Sequence, residues 1–190
     1  MKLNLGCGSD ILAGWVNVDL HPGAGVDRIV DLERVPWPWG DSSAEEVRLK
    51  HVLEHLGRNS ETFLSVIKEF WRVCANGAKV AITVPHPRHD AFLTDPTHVR
   101  PILEGTLRLF DQGANFEDRK RGFSNTPLGL ITGVDFRLES VEHTVEKDWL
   151  ERFQRGEISH AELNHAARHY NNVISETDFL WRTVKPAGGV

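Results

Sequence analysis

Five short apolar runs, at residues 2–5, 15–19, 27–30, 47–50 and 79–84, each give way to polar or turn-forming residues, and they alternate with turns and helical stretches. The runs are rich in Val, Ile and Leu, as strands are, and their alternation with other structure predicts a largely parallel sheet. The clearest helix spans residues 61–74. Phe63, Ile67, Phe70 and Cys74 recur there at helical spacing, and Leu64 with Trp71 widens the same stripe. Asn59 and Ser60 are good caps in front of it, and Asn76-Gly77 supplies the left-handed residue that a helix C-terminus often needs.

From residue 85 to about 132 the pattern breaks, with prolines at 85, 87, 96, 101 and 127 and no clean period, so this segment reads as a substrate-side insertion. Beyond it, residues 134–145 read as a strand, 147–155 and 159–171 as helices, and 178–185 as a final strand. That order suits an antiparallel hairpin closing the edge of the sheet. The expectation is an α/β chain with a mostly parallel seven-stranded sheet. At 190 residues it has the size of one domain, residues 1–190.

Composition removes several function classes. Hydrophobic residues at 40% and charged residues at 26% are ordinary globular usage, so the chain is expected to fold by itself. No apolar run approaches the ~20 residues that span a bilayer. Met1-Lys2 leads straight into a core-like Leu3-Asn4-Leu5 rather than a signal-peptide pattern, and a cytoplasmic protein with no membrane partner is expected. Two cysteines, Cys7 and Cys74, are too few for a disulfide framework or a structural zinc site. A net charge of -5 gives no overall attraction to a polyanion, Arg119-Lys120-Arg121 being a short local exception, so nucleic acid is not an expected partner.

The chemistry gathers at the ends of the runs. Gly6-Cys7-Gly8 follows the first, where two glycines let the backbone turn sharply and a ligand come close. Asp19 closes the second, in position to accept hydrogen bonds from two ribose hydroxyls. Asp31 closes the third, where it could address an adenine amino group while Leu32 covers the ring.

Together with the stretch from Val35-Pro36-Trp37 to Asp41-Ser42-Ser43, with His51-Val52-Leu53-Glu54-His55-Leu56 and with Asn76-Gly77-Ala78, these motifs stand in the order found in class I S-adenosylmethionine-dependent methyltransferases, which the chain resembles over residues 2 to 86. The resemblance implies a Rossmann-like methyltransferase fold with S-adenosylmethionine as cofactor and S-adenosylhomocysteine as product. Gly6, Cys7 and Gly8 would border the methionine part, Asp19 the ribose, Asp31 and Leu32 the adenine, and His51 the sulfonium side. Three departures stand out. Asn4 replaces an acidic residue whose charge could face the sulfonium or amino group. Asp10 stands where a third glycine is usual. Only residues 9–14 separate the glycine turn from the next strand, so the first helix must be a stub or absent.

His51-Val52-Leu53-Glu54-His55 also fits H-x-x-E-H, a zinc-protease pattern. Gly57 ends the segment within a turn, and the neighbouring motifs place it in the loop after the fourth strand, so no metal is expected. Some ubiquinone-pathway O-methyltransferases that resemble this stretch use its carboxylates and histidine for a divalent ion, which leaves His51, Glu54 and His55 as an alternative. A second cluster, Pro85 to Asp90 and Asp95 to Pro101, lies on the rim that takes the acceptor in this fold. A His–Asp pair there can remove a proton from a hydroxyl as a methyl arrives, with His98 as base, Asp95 beside it, and His86 or His55 as competing bases.

His160, His165 and His169 read as a solvated helix face, and Trp37, Trp39, Trp149 and Trp181 as core or lid. The chain starts on its first strand, so acceptor selectivity is assigned to residues 85–132 and the helices near 148–171. A small-molecule or glycan acceptor, methylated on oxygen, is the expectation. The alternatives are a nucleic-acid methyltransferase, disfavoured by the absence of an Asn/Asp-Pro-Pro-aromatic tetrad after the fourth strand, a dinucleotide-dependent oxidoreductase, and a non-catalytic cofactor-binding module.

Overall fold

The computed structural model describes residues 1–186. Seven strands, β1 (Lys2–Leu5), β2 (Val16–Asp19), β3 (Arg28–Ile29), β4 (Ala44–Lys50), β5 (Cys74–Pro85), β6 (Phe136–Val145) and β7 (Ile174–Thr183), form one sheet. Their order is β3-β2-β1-β4-β5-β7-β6. The first five pair in parallel, and β7 runs antiparallel to both its neighbours. β7 therefore lies inside the sheet and β6 forms the edge. β7 starts at Ile174, ahead of the expected residue 178, because its period-2 burial extends back to Thr177 and a register irregularity against β6 carries the pairing on to Ile174.

Between β4 and β5 lies α1 (Ser60–Val73), which turns Phe63, Val66, Ile67, Phe70 and Val73 inward. Asn59 caps it, its side chain accepting from the Thr62 N–H at 2.8 Å. The expected stop at Asn76-Gly77 is corrected. Cys74 is already extended and opens β5, and the left-handed Gly77 (φ 78°) sits where the β4–β5 register shifts between Ala44↔Cys74 and Glu46↔Lys79. The left-handed glycine accommodates a strand irregularity, not a helix end.

The insertion holds four short helices, α2 (Asp90–Leu93), α3 (Glu104–Arg108), α4 (Gln112–Lys120) and α5 (Leu128–Thr132). Helices α6 (Lys147–Gln154) and α7 (His160–His169) precede β7 and build a small satellite core around Ile158, Leu163, Ala166 and Val173. No helix among the described residues is long and apolar enough to cross a membrane.

One face of the sheet carries the main core. Leu3, Leu5, Val18, Val47, Leu49, Val80 and Ile82 bury against α1, Trp37, Trp39 and the Ile102, Leu107 and Phe110 side chains of the insertion. The alternate residues, among them Lys2, Glu46, Lys79, Ala81 and Arg182, stay exposed or half-buried, with ion pairs Lys2–Glu46 and Arg182–Glu139 on the surface. Parallel sheets ordinarily bury both faces. Here the chain between β1 and β2 contains turns and no helix, and so does the chain between β2 and β3.

A polar web stands where the first helix would lie. Asn4 and Asn17 are buried and joined, Asn4 Nδ2 donating to Asn17 Oδ1 at 3.0 Å and to the Asp10 carbonyl at 2.7 Å. Asn17 Oδ1 accepts from the Leu12 N–H, its Nδ2 donates to Asp27 Oδ2, and Arg48 holds Asp10 Oδ2 at 2.7 Å. Asn4 is thus the donor that ties the glycine turn down, which a carboxylate could not be. Asp10, in place of a glycine, anchors the same loop.

Candidate functional site

A cavity of about 700 Å³ opens at the carboxyl ends of β1, β2 and β4, lined by Gly6, Asp19, Asp31, Leu32, Val52, His55 and Thr97 among others. Gly6 has φ 65°, and a Cβ there would meet Val52 Cγ2 at 2.3 Å, so both conformation and space require glycine. Asp19 holds the rim together. Its Oδ2 accepts from the Gly8 N–H at 2.8 Å and its Oδ1 from the His21 N–H at 3.0 Å. Asp31 accepts from the Glu33 N–H at 3.0 Å and pairs with Arg34 at 3.1 Å.

Two residues assigned to the methionine part lie elsewhere on the turn. Cys7 is buried beneath it, its N–H bonded to the Val18 carbonyl at 2.9 Å, and burial with the nearby Asp19 carboxylate pushes its thiol up from the ordinary value. Gly8 lines a neighbouring cleft with Ser9 and Asp19. His51, placed on the sulfonium side, lines a second cavity rather than the first.

That second cavity, of about 350 Å³, is bordered by His51, His55, Asp95, His98, Ser175 and Glu176. His55 lines both cavities and marks their junction. The expected residues of the 51–55 stretch and of the insertion rim therefore meet. The chain reaches this point by leaving β4 through His51, whose φ is 55°, into a single 3-10 turn at Leu53–His55. The insertion loop is laced to that turn by the Val99 and Arg100 N–H groups, both donating to the Glu54 carbonyl at 2.9 and 3.2 Å.

The histidines differ in environment. His51 Nε2 meets Glu176 Oε1 at 2.8 Å and its Nδ1 stands 3.6 Å from Glu54 Oε1; the Glu54 carboxylate, with Glu176, pushes the imidazole above its ordinary value. His98 is nearly enclosed, stacked on Phe92, and its Nδ1 donates to the Phe92 carbonyl at 2.8 Å, leaving Nε2 facing Asp95 Oδ2 at 3.8 Å. Its ring centroid is 4.6 Å from that of His55. His86 borders neither of these cavities. Burial, with the charge of Arg88, holds it down to about 4, which makes it a weak base.

Glu176 was not among the expected site residues. It lies ahead of residue 178, where the final strand is expected to begin, and β7 takes it in only by starting at Ile174. Trp37, Trp39 and Trp181 are core residues, and Trp149 packs on the satellite core. His160, His165 and His169 are exposed as expected, although His165 and His169, one turn apart, bring their ring centroids to 4.3 Å rather than spreading around α7.

No protein-family model matches the chain, and no curated protein matches it. Solved structures do. A SAM-dependent methyltransferase from Archaeoglobus fulgidus aligns with TM-score 0.59 and 16% identity, covering 96% of this chain and 85% of that one. A SAM-dependent methyltransferase from Methanosarcina mazei gives 0.53 and 12%, covering 97% and 92%. The [4+2]-cyclase SpnF gives 0.53 and 14%, covering 97% and 75%. At these identities the likeness is one of fold, and the fold is that of the class I S-adenosylmethionine-dependent methyltransferases.

Proposed function

We propose that the chain binds S-adenosylmethionine in the larger cavity and transfers its methyl group to a small-molecule or glycan hydroxyl held in the smaller one. The observation that carries this reading is the junction of the two cavities at His55, with Asp19 and Asp31 on the wall of the larger. Asp19 would take the ribose hydroxyls with the lone pairs that Gly8 and His21 leave free. Asp31 would address the adenine amino group beside Leu32, with Gly6, Cys7 and Gly8 shaping the turn around the methionine part.

Fold alone does not decide the reaction, since SpnF shares it and is a cyclase. Methyl transfer asks little of the protein beyond alignment and desolvation. The acceptor oxygen forms a bond to the methyl carbon as the carbon–sulfur bond breaks, its electron pair passing to sulfur. The hydroxyl proton passes to a base. His98 suits that step, because its Nδ1–H bond to Phe92 directs the Nε2 lone pair toward Asp95 and the smaller cavity. His55 is the second base at the junction, and His86, held down to about 4, is the weakest of the three.

Calorimetric titration with S-adenosylhomocysteine tests the cofactor. Saturable binding that Asp19→Ala weakens by about tenfold or more (~1.4 kcal/mol), with the fold intact by circular dichroism, supports the reading. No binding by well-folded wild-type protein overturns it.

A further inference from the structure

Glu54 presents an unusual problem for a folded chain. Its side chain is fully buried, and neither carboxylate oxygen has a hydrogen-bond partner. An ionised carboxylate in that condition is costly unless something compensates it. Arg100, bonded through its backbone to Glu54, does not compensate, because its guanidinium donates to the Gly57 carbonyl at 2.8 Å and lies over the Phe63 ring at 4.2 Å. His51 stands at 3.6 Å, within ion-pair reach but longer than a hydrogen bond and with its other nitrogen committed to Glu176, so both Glu54 oxygens still lack a donor.

Two imidazoles stand beside Glu54. One potential ligand atom each from Glu54, His55 and His98 lies within 4.8 Å of the others. The hydrogen bonds fix both ring tautomers. His98 Nδ1 faces the Phe92 carbonyl and must carry the proton. Thr97 gives its single hydroxyl proton to Asp95 Oδ1 at 2.6 Å, so the 3.0 Å contact between Thr97 Oγ1 and His55 Nδ1 requires His55 Nδ1 to be the donor. Both rings therefore keep an Nε2 lone pair, unclaimed by any hydrogen bond among the described residues. An orphaned carboxylate and two imidazole lone pairs, with no donor among them, make a site for a cation.

We propose that Glu54, His55 and His98 bind one divalent transition-metal ion beside the smaller cavity. Two imidazoles and a carboxylate suit ions such as Zn²⁺, Co²⁺ or Fe²⁺ better than Mg²⁺ or Ca²⁺, which take all-oxygen sets. Ligand bonds of about 2.1 Å set the ligands of a tetrahedral ion ~3.4 Å apart, so atoms now within 4.8 Å of one another would draw together by up to about 1.4 Å as the ion binds. The Nδ1–H contacts to Phe92 and Thr97 are the outer bonds that orient metal-binding histidines. The ligands are also held in place by backbone, through the Val99 and Arg100 bonds to Glu54. A nitrogen that coordinates an ion accepts no proton. In the loaded protein the ion, by acidifying a coordinated hydroxyl, would take over the task assigned above to the free histidines. The site itself does not depend on the cofactor reading.

The test is a titration of metal-stripped protein with Co²⁺ alone, followed by its visible absorption, without S-adenosyl compounds. One equivalent should bind, and Zn²⁺ should displace it. Glu54→Gln and His98→Ala should each weaken binding by about tenfold or more, whereas His165→Ala, which removes the exposed pair on α7, should leave it unchanged. Circular dichroism checks each fold, and His98→Ala decides the matter if the buried Glu54→Gln does not fold. The absence of a stoichiometric Co²⁺ complex, uptake unaltered by the folded variants, or uptake lost with His165→Ala would each overturn the assignment.

Discussion

Glu69 shows how single side chains join the parts of this fold. It lies on α1, nearly buried, and accepts from the Trp37 N–H at 2.6 Å and from the Arg72 guanidinium, which also holds Asp41 at 2.6 Å. The loop at 37–41 is thereby fastened to the helix. The Arg72 hydrogen bond holds the Glu69 carboxyl below its ordinary value. A depressed folded-state pKa stabilises above the unfolded value and loses that contribution as pH falls through the folded one. Glu69→Gln should therefore lower stability at neutral pH by about 1–3 kcal/mol and shrink the acid-side decline in thermal melts recorded from pH 7 downward. Asp19 and Asp31 were legible in the sequence because each closes an apolar run and stands at a strand end. Glu69 and Glu176 were not, since each sits inside a periodic element where a carboxylate looks like a solvated position. Only the partner across the fold, the Trp37 N–H or His51, gives it a role.

Among the elements, α1 was the most legible because its apolar stripe is long and its cap is local. Asn59→Ala should cost about 1 kcal/mol, measurable as a lower urea midpoint with unchanged slope. Its far end was less legible, because Asn76-Gly77 specifies a left-handed residue without saying whether a helix or a strand needs it. The helices of the insertion were invisible to periodicity for a different reason. Most are about five residues or fewer, and such segments are held by tertiary bonds rather than by their own propensity. The Gly129 N–H donates to the Leu109 carbonyl, and the Phe136 N–H to that of Phe110. A Cβ on Gly129 would stand 3.0 Å from the Phe110 carbonyl oxygen, so this packing is backbone against backbone. No pattern within residues 85–132 encodes contacts with Phe136.

At the scale of the molecule, the sheet has one dry face and one wet face. Leu180→Lys, on the wet side opposite Ala81, should change stability by no more than about 0.5 kcal/mol, whereas Ile82→Ala, one residue away on the dry side, should cost about 2–5 kcal/mol. Chemical denaturation of the two variants checks this, and a large loss from Leu180→Lys would mean that the face is covered. The short spacing at residues 9–14 made the missing first helix legible, but not what replaces it, because an Asn4–Asn17 amide pair leaves no periodic trace. The β1–β2 edge of the molecule is consequently ordered by directional bonds between polar groups, while the α1 side is ordered by buried area. The two halves answer to different physics, so the rim at Asp19 and Asp31 can loosen while the core stays intact. A ligand bridging Asp19 and Asp31 would act on that rim as a crosspiece, supplying from outside the rigidity that a pair of helices would otherwise have built in.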